Sequence, residues 1–270
     1  FIFNHQFCIN MIKAVFFDVD GTLISFHTHQ IPSSTLEAIK ILKEKGIKVI
    51  VATGRSINQI AHLHQIDFDG YLTFNGNLCL DKHKNVFHKN VIPKSDIELL
   101  IKYQKDIKPF PCIFMSEFDN KINYIDNQVV EVFNLLNLPL TMKTEDMTAA
   151  LQKDIIQLNA FIKPDEDQDV IEKALTSCET SRWTHLFADV NLKGSNKATG
   201  LAAFAKHLEL DLSETLAFGD GGNDIEMLKL AGTGIAMGNA NENVKSIADY
   251  ITDSVDDNGI FNALQHFGVI

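Results

Sequence analysis

The stretch Ala14-Val15-Phe16-Phe17-Asp18-Val19-Asp20-Gly21-Thr22 decides the fold, because an apolar run ends there in two aspartates and a Gly-Thr pair. The apolar run predicts a buried strand, and the glycine predicts a turn after it. Side chains alternate along a strand, so Asp18 and Asp20 would share a side if strand geometry persisted. Two neighbouring carboxylates repel each other, and a site that holds them together has a cation or a shared proton. A pair of solvated turn aspartates is the alternative.

Strand and helix signals alternate after this stretch. The pattern predicts strands at 12–20, 47–53 and 71–75 and helices at 33–45 and 56–65. This βαβαβ order predicts an α/β fold with a Rossmann-like core, in which a parallel sheet is covered on both faces. The functional crevice of such a sheet lies at the carboxyl ends of its strands, where Asp18, Asp20 and Thr53 fall. Ordinary polar residues at strand ends are the alternative.

The pattern changes from about Leu80 and returns after Lys193. Between them, short β-like runs alternate with amphipathic stretches. The β-like runs are at 112–115, 122–125, 155–162 and 183–191, and the amphipathic stretches are at 127–137 and 166–175. After them, helices are predicted at 197–208 and 223–231 and strands at 215–218 and 234–236. The simplest account is an α+β module inserted into a discontinuous parallel-sheet domain. We predict a core at 11–82 and 193–270, an insert at 83–192, and an N-terminal extension at 1–10 before a natural start at Met11.

Composition limits the classes of partner. The net charge of −11 argues against sequence-independent nucleic-acid binding, which needs a basic surface. No apolar run approaches the ~20 residues that cross a bilayer, and residues 1–10 lack the basic start of a signal peptide. The cysteines form no CxxC pair, which favours buried thiols in a reducing cytoplasm: Cys8, Cys79, Cys112 and Cys178. We expect a cytoplasmic protein without a nucleic-acid or membrane partner, as a monomer or weak homo-oligomer.

Two further signals suit the binding of a phosphoryl group. Thr53-Gly54-Arg55 follows the second predicted strand, where a hydroxyl and backbone N–H groups at a loop entering a helix can hold phosphate oxygens. Lys197 begins a helix after Gly194-Ser195-Asn196, where a fixed cation could neutralise a bound phosphoryl group. A surface lysine on an amphipathic helix is the alternative interpretation of Lys197.

The fourth signal is Phe218-Gly219-Asp220-Gly221-Gly222-Asn223-Asp224, in which a strand leads into an acidic, glycine-rich turn. Carboxylates at such a strand end suit a hard cation, which takes oxygen ligands. A helix cap at Asn223 is the alternative, but a cap requires neither Asp220 nor the glycines.

In chain order these segments resemble the four motifs of the haloacid dehalogenase (HAD) superfamily of phosphotransferases. The matching segments are DVDGT at 18–22, TGR at 53–55, Lys197, and GDGGND at 219–224. The insert lies between the second and third motifs, as the type II cap of this family does. Residues 11–270 resemble a Cof-type member with a type IIB cap. The insert also resembles bacterial hexose-phosphate phosphatases, with FADV at 187–190 and Ser181-Arg182-Trp183 in place of a GRW sequence.

The resemblance implies roles for the acidic residues. Asp18 would be the nucleophile that forms an aspartyl phosphate, and Asp20 would be the general acid and base. Mg²⁺ would be held by the Asp18 carboxylate, the Asp20 backbone carbonyl and the Asp220 carboxylate. Asp224 would support this site or bind the metal through water.

The resemblance also implies a phosphoryl-binding set and an activity. The set is Thr53, Gly54, Lys197 and Asn223. The activity is Mg²⁺-dependent hydrolysis of small phosphorylated metabolites, with hexose phosphates as the expected substrates. An aspartate at position 20 favours turnover to water or a phosphate shuttle, so a sugar phosphomutase stays an alternative, as does a non-catalytic sugar-phosphate sensor. Substrate choice would depend on the insert, where Arg182, Trp183 and Phe187 either line the entrance or pack inside the cap.

Overall fold

The computed structural model describes residues 12–135, 139–182 and 184–270. The predicted extension at 1–10, Met11, Cys8, Asn137 and Trp183 lie outside the described residues. The chain forms two compact units. The core unit contains the described residues up to His88 together with Asn196–Ile270, and the insert unit is Lys89–Ser195. The chain thus changes unit a few residues later than the boundaries predicted at 82/83 and 192/193, and the domain assignment stays a prediction.

The core unit contains a sheet of eight strands, which are numbered here in their order along the whole chain. They are β1 Ala14–Phe17, β2 Lys48–Ala52, β3 Gly70–Thr73, β4 Leu78–Asp81, β5 Val86–Lys89, β11 Thr215–Gly219, β12 Thr233–Ala236 and β13 Tyr250–Ile251. The strand order is β13-β12-β11-β1-β2-β3-β4-β5. The strands from β13 to β3 run parallel, and β4 is antiparallel to β3. Because β1 lies between β11 and β2, the loops that follow these three strands are neighbours.

Helices cover both faces of this sheet. The α-helices are α1 Ser33–Glu44, α5 Lys197–His207, α6 Ile225–Leu230, α7 Glu242–Lys245 and α8 Gly259–His266. Short 3₁₀ helices lie at Ile57–Leu63, Phe74–Gly76, Leu212–Glu214, Gly222–Asp224 and Val255–Asp257. Val15 and Phe17 of β1 pack with α1 and α8, whereas Phe16 packs with α5 and α6. Side chains that alternate along one buried strand therefore pack into two apolar layers. This arrangement confirms the predicted α/β fold.

Two predicted elements of the core unit differ from the structure. The segment predicted as a helix at 56–65 is a 3₁₀ helix at Ile57–Leu63. Ile57, Ile60, Leu63 and Ile66 are all buried in one cluster, and this spacing of three residues matches the 3₁₀ repeat. The first strand ends at Phe17, before both aspartates, so the strand geometry that would place them on one side does not persist.

The insert unit is an antiparallel sheet with helices. Its strands are β6 Cys112–Met115, β7 Asn120–Ile122, β8 Gln157–Ala160, β9 Cys178–Ser181 and β10 Ala188–Leu192, in the order β7-β6-β8-β10-β9. Its helices are α2 Lys94–Asp106, α3 Asn127–Leu135 and α4 Asp167–Lys173, with 3₁₀ helices at Met147–Gln152 and Pro164–Glu166. One buried cluster joins α2 and α4 to the sheet. The sequence pattern did not predict α2, although its buried Ile97, Leu100 and Tyr103 recur every three residues.

None of the helices among the described residues has the length and apolar character needed to cross a membrane.

Candidate active site

Asp18 lies directly after β1, at the carboxyl edge of the sheet. Its backbone N–H donates to the carbonyl of Phe218 on β11, at 3.0 Å, which continues the pairing of the two strands by one residue. Its side chain is buried, and Oδ1 accepts a hydrogen bond from Lys197 Nζ at 2.5 Å. The predicted nucleophile is therefore in contact with the predicted phosphate-binding lysine, although 179 positions separate them along the chain.

Lys197 is the first residue of α5 and is fully buried. The helix begins after Asn196, whose side chain accepts a hydrogen bond from the N–H of Thr199. Nζ contacts a second carboxylate, Asp224 Oδ1, also at 2.5 Å. Burial alone lowers the pKa of Lys197, but the two carboxylates outweigh this effect and hold its pKa above the usual value. Lys197 is thus a fixed ammonium ion, and the surface-lysine alternative is excluded.

Three buried carboxylates form a cluster: ligand oxygens of Asp18, Asp220 and Asp224 all lie within 4.8 Å of one another. Burial, with the negative charge of Asp224, raises the pKa of Asp18 above its usual value, and the Lys197 ammonium group opposes this shift. Burial also raises the pKa of Asp220 to about 6, although Oδ1 accepts a hydrogen bond from Thr22 Oγ1 at 2.8 Å. Thr22 was not predicted, but it belongs to the DVDGT segment. The cluster holds more negative than positive charge, and a divalent cation would balance it.

Asp224 holds the glycine-rich loop in place. Its Oδ2 accepts hydrogen bonds from the backbone N–H groups of Asp220 at 3.0 Å and Gly221 at 2.9 Å, while Oδ1 contacts Lys197. Both of its oxygens are therefore used within the protein. This arrangement suits a supporting residue better than a direct metal ligand.

The side chain of Asp20 is not part of the three-carboxylate cluster. Gly21 follows it with φ +86°, a backbone conformation that favours glycine. A Cβ at Gly21 would also lie 2.2 Å from Asp220 Oδ2. The side chain of Asp20 pairs with Arg55, which donates to both of its carboxylate oxygens. The expectation that Asp18 and Asp20 share a side depended on continued strand geometry, and this condition is not met because β1 ends at Phe17. Arg55 was named only as part of the TGR segment.

The remaining predicted phosphoryl-binding residues lie on two loops that Asn75 connects. Thr53 follows β2, is buried, and accepts a hydrogen bond from the Arg55 N–H through Oγ1 at 3.1 Å. A Cβ at Gly54 would lie 3.1 Å from the Asn75 amide. Asn223 Nδ2 donates to Asn75 Oδ1 at 3.0 Å. Asn75 was not predicted as a site residue; its position at the end of the third predicted strand is the signal that could have indicated it.

Two of the three insert residues named for the entrance, Arg182 and Phe187, pack inside the insert unit, and the third, Trp183, lies outside the described residues. Arg182 donates to both oxygens of Asp167 and to the carbonyls of Ile162 and His185. Phe187 is buried, and its ring lies 5.7 Å from that of Phe161 between centroids. Both side chains therefore support the structure of the insert.

The model of the haloacid dehalogenase-like hydrolase family matches residues 15–264. The chain belongs to this family. YkrA of Bacillus subtilis (strain 168) is 34% identical over 260 residues, which cover 96% of this chain and 98% of YkrA. The 5-amino-6-(5-phospho-D-ribitylamino)uracil phosphatase YcsE of the same organism is 26% identical over 261 residues, covering 95% of this chain and 96% of YcsE.

Solved structures of HAD phosphatases have the same fold. BT1666 of Bacteroides thetaiotaomicron, described among the phosphatases of the superfamily, is 37% identical with a TM-score of 0.88, and the match covers 98% of each chain. The HAD subclass IIB sugar phosphatase BT4131 is 40% identical with a TM-score of 0.81, covering 96% of this chain and 100% of that chain. The predicted family membership is confirmed, and the chain is a phosphomonoesterase of the HAD superfamily.

Proposed function

We propose that this HAD enzyme is a Mg²⁺-dependent phosphatase that hydrolyses hexose phosphates through an aspartyl phosphate on Asp18. The observation that carries the proposal is the meeting of Asp18, Lys197, Asp220 and Asp224 at one edge of the sheet. The similarity to a protein described as a sugar phosphatase supports the substrate class.

Asp18 and Asp20 share the chemistry in this proposal. An Asp18 carboxylate oxygen attacks phosphorus, and the bond from phosphorus to the leaving oxygen breaks as Asp20 gives that oxygen a proton. Asp20 then takes a proton from a water molecule, whose oxygen attacks the phosphorus of the aspartyl phosphate. The bond from phosphorus to Asp18 breaks, which releases inorganic phosphate and restores both aspartates.

Lys197 supplies fixed positive charge to this reaction. Its ammonium group contacts Asp18 and would neutralise charge on the phosphoryl oxygens during transfer. Thr53 Oγ1, the Gly54 N–H and the Asn223 amide would bind the remaining phosphoryl oxygens. The hydrogen bond from Asn223 to Asn75 fixes the position of that amide.

The acidic cluster fits Mg²⁺. Its donors are oxygen atoms, which a hard cation prefers, and its three carboxylates have only the Lys197 ammonium group as a counterion among the contacts described. The Asp18 carboxylate, the Asp20 backbone carbonyl and the Asp220 carboxylate would hold the ion, and Asp224 would support the loop. When bound, Mg²⁺ neutralises charge between the carboxylates and the phosphoryl group.

The proposal includes a cytoplasmic location and a small phosphorylated molecule as the partner. The absence of nucleic-acid and membrane partners, and a monomeric or weakly homo-oligomeric state, stay predictions from the sequence.

The test uses the full chain with Mg²⁺ and a panel of phosphorylated sugars, nucleotides and cofactors, with released phosphate as the readout. We expect release from hexose phosphates and its loss in Asp18→Asn. Asp67→Asn is the matched control, because this exposed aspartate pairs with Lys43 on the surface. Phosphorus NMR with a hexose 1-phosphate separates the phosphomutase alternative. Formation of the 6-phosphate without free phosphate would contradict the proposal.

A further inference from the structure

The turn after β3 contains three consecutive residues in the left-handed region of backbone conformation. The φ angles of Phe74, Asn75 and Gly76 are 50°, 51° and 93°. Only glycine adopts such angles without cost, and for a large side chain such as phenylalanine they are rare. Phe74 is fully buried, so the packing of its ring holds the turn against its backbone preference. Backbone strain of this kind clusters at functional sites, and the turn therefore requires an explanation.

The turn is fixed to two segments of the active site. The backbone N–H of Asn75 donates to the carbonyl of Thr53 at 3.0 Å, which joins the turn to the TGR segment. Gly76 packs against the start of α5, where a Cβ would lie 2.2 Å from the carbonyl oxygen of Asn196. The position of the Asn75 side chain is therefore determined by the same elements that position the catalytic groups.

This side chain contacts two members of the proposed phosphoryl-binding set. Asn75 Oδ1 accepts the hydrogen bond from Asn223 Nδ2 at 3.0 Å. The Asn75 amide also lies against Gly54, where a Cβ would be 3.1 Å from both Oδ1 and Nδ2. Because Oδ1 is used by Asn223, Nδ2 is left as a donor, and it makes no hydrogen bond with any of the described residues. Asn75 is half-buried, so this donor is held in place and still accessible.

The charges of the site leave room for a neutral donor. The Lys197 ammonium group contacts both Asp18 and Asp224, so its positive charge is shared between two carboxylates. Neutral hydrogen-bond donors then have to supply part of the binding of the phosphoryl oxygens. A rigidly held amide beside Gly54 and Asn223 suits this role, because it needs no reorganisation when charge develops in the transition state.

We propose that Asn75 is a further phosphoryl-binding residue, whose Nδ2 donates a hydrogen bond to an oxygen of the transferring phosphoryl group. Resting on the proposed function, this ligand is the phosphoryl group that Asp18 attacks, whichever organic group carries it. The strained turn places the donor, and the hydrogen bond from Asn223 fixes which end of the amide is free. The competing interpretation is that Asn75 acts only by positioning Asn223.

Asn75→Asp separates these two roles, because it keeps the oxygen that accepts from Asn223 and replaces only the donor group. We expect kcat/KM to fall about 10- to 100-fold for p-nitrophenyl phosphate and hexose 6-phosphate alike, since both carry the same phosphoryl group. Activity within about twofold of wild type would overturn the proposal. Asn258→Asp is the matched control: Asn258 has φ 64° and ψ 28°, is exposed, precedes a glycine as Asn75 does, and should change neither value.

A neutral substitution removes the added charge from the comparison. Asn75→Gly deletes the amide, and glycine adopts the left-handed conformation without strain. It is combined with Asn223→Ala in a double-mutant cycle. If Asn75 contacts the phosphoryl group itself, Asn75→Gly should still cost about tenfold in kcat/KM in the Asn223→Ala background. A double variant as active as Asn223→Ala alone would show that Asn75 acts through Asn223 and would overturn the proposal.

Titration of the full chain with inorganic phosphate, in the presence of Mg²⁺, gives a readout without turnover. We expect Asn75→Gly to weaken phosphate binding about tenfold and to keep the urea midpoint of unfolding of the Asn258→Gly control. Unchanged phosphate affinity, or a weakened affinity that always accompanies a lower midpoint, would overturn the proposal. If the wild-type chain hydrolyses p-nitrophenyl phosphate but no hexose phosphate, the proposed substrate class is wrong, and this titration still decides the role of Asn75.

Discussion

The guanidinium group of Arg55 donates to both carboxylate oxygens of Asp20, from Nε to Oδ2 and from Nη2 to Oδ1, each at 2.8 Å. The two side chains are 42% and 38% exposed, in contrast to the fully buried Lys197. A planar fork that binds both oxygens fixes the orientation of the carboxylate as well as its position. Asp20, the proposed acid and base, is therefore oriented by a residue of the TGR segment.

Replacing Arg55 should slow the departure of the leaving group more than it weakens substrate binding. In Arg55→Ala we expect kcat for a hexose phosphate to fall about 10- to 100-fold, because a misoriented Asp20 transfers protons poorly. The loss for p-nitrophenyl phosphate should be only about threefold, since its leaving group needs little protonation. Arg55→Lys should recover only part of the lost activity, because one ammonium group cannot bind both carboxylate oxygens of Asp20.

A double-mutant cycle isolates the role of Arg55. In an Asp20→Ala background, removal of Arg55 should cost nothing further if it acts through Asp20. Lys43→Ala, which removes a surface ion pair with Asp67, is the control and should keep full activity. Equal losses for both esters in Arg55→Ala would show that the ion pair serves the fold or substrate binding.

Removal of Lys197 should affect stability and activity together. In Lys197→Met, Asp18 and Asp224 lose the ammonium group that both contact at 2.5 Å. Because breaking a buried ion pair leaves uncompensated charge, we expect a loss of about 3–5 kcal/mol in the free energy of unfolding, measured in urea. Phosphatase activity should fall by about 1,000-fold or more. Lys206→Met, at an exposed position of the same helix, is the control and should change both stability and activity little. A Lys197→Met variant with wild-type stability would contradict the structure.

The glycine at position 21 can be tested against a matched glycine. Gly21 and Gly46 both have positive φ, +86° and +77°, so alanine should cost each about 1 kcal/mol of stability. A Cβ at Gly21 would meet Asp220 Oδ2, whereas a Cβ at Gly46 has no atom within 4 Å. We expect Gly21→Ala to lose about 100-fold or more in kcat/KM and Gly46→Ala to keep its activity. Similar activity in both variants would show that Asp220 tolerates displacement.

Asp189 should make stability depend on pH. Burial raises its pKa to about 6, with the Arg182 guanidinium opposing the shift. The folded state therefore binds a proton more tightly than the unfolded state, so the free energy of unfolding falls as pH rises from about 4 through about 6. Removing the charge in Asp189→Asn should raise stability by about 1–3 kcal/mol at pH 8 and change it little below pH 4. Urea unfolding followed by the fluorescence of Trp183, the only tryptophan of the chain, measures this effect in the insert unit. A gain of equal size at both pH values would assign the effect to packing.

The sequence predicted the part of the site that follows from strand order. Asp18, Thr53 and Asp220 each follow a strand, and the pairing of β1 with β2 and β11 brings the three loops to one edge. The burial of Lys197 could not be predicted from the helix alone. It depends on the packing of α5 against Gly76, where a Cβ would lie 2.2 Å from the Asn196 carbonyl oxygen.

Other contacts depend on backbone conformations that the sequence pattern does not specify. The pairing of Asp20 with Arg55 connects two loops, and strand alternation does not specify it because β1 ends at Phe17. Asn75 has a left-handed conformation, φ 51° and ψ 38°, and contacts Asn223 from a loop 148 positions away. Local propensity indicates neither contact, since both are made only when the tertiary structure is complete.

The discontinuity of the core unit has a consequence for biosynthesis. A nascent chain that has been translated as far as residue 195 contains β1 and β2, but it lacks β11 and Lys197. On such an intermediate, one side of β1 has no hydrogen-bonded neighbour, and the Asp18 carboxylate has no ammonium counterion. A ribosome paused at the end of the insert therefore carries an immature hydrolase, and catalytic competence requires the part of the polypeptide that follows residue 195.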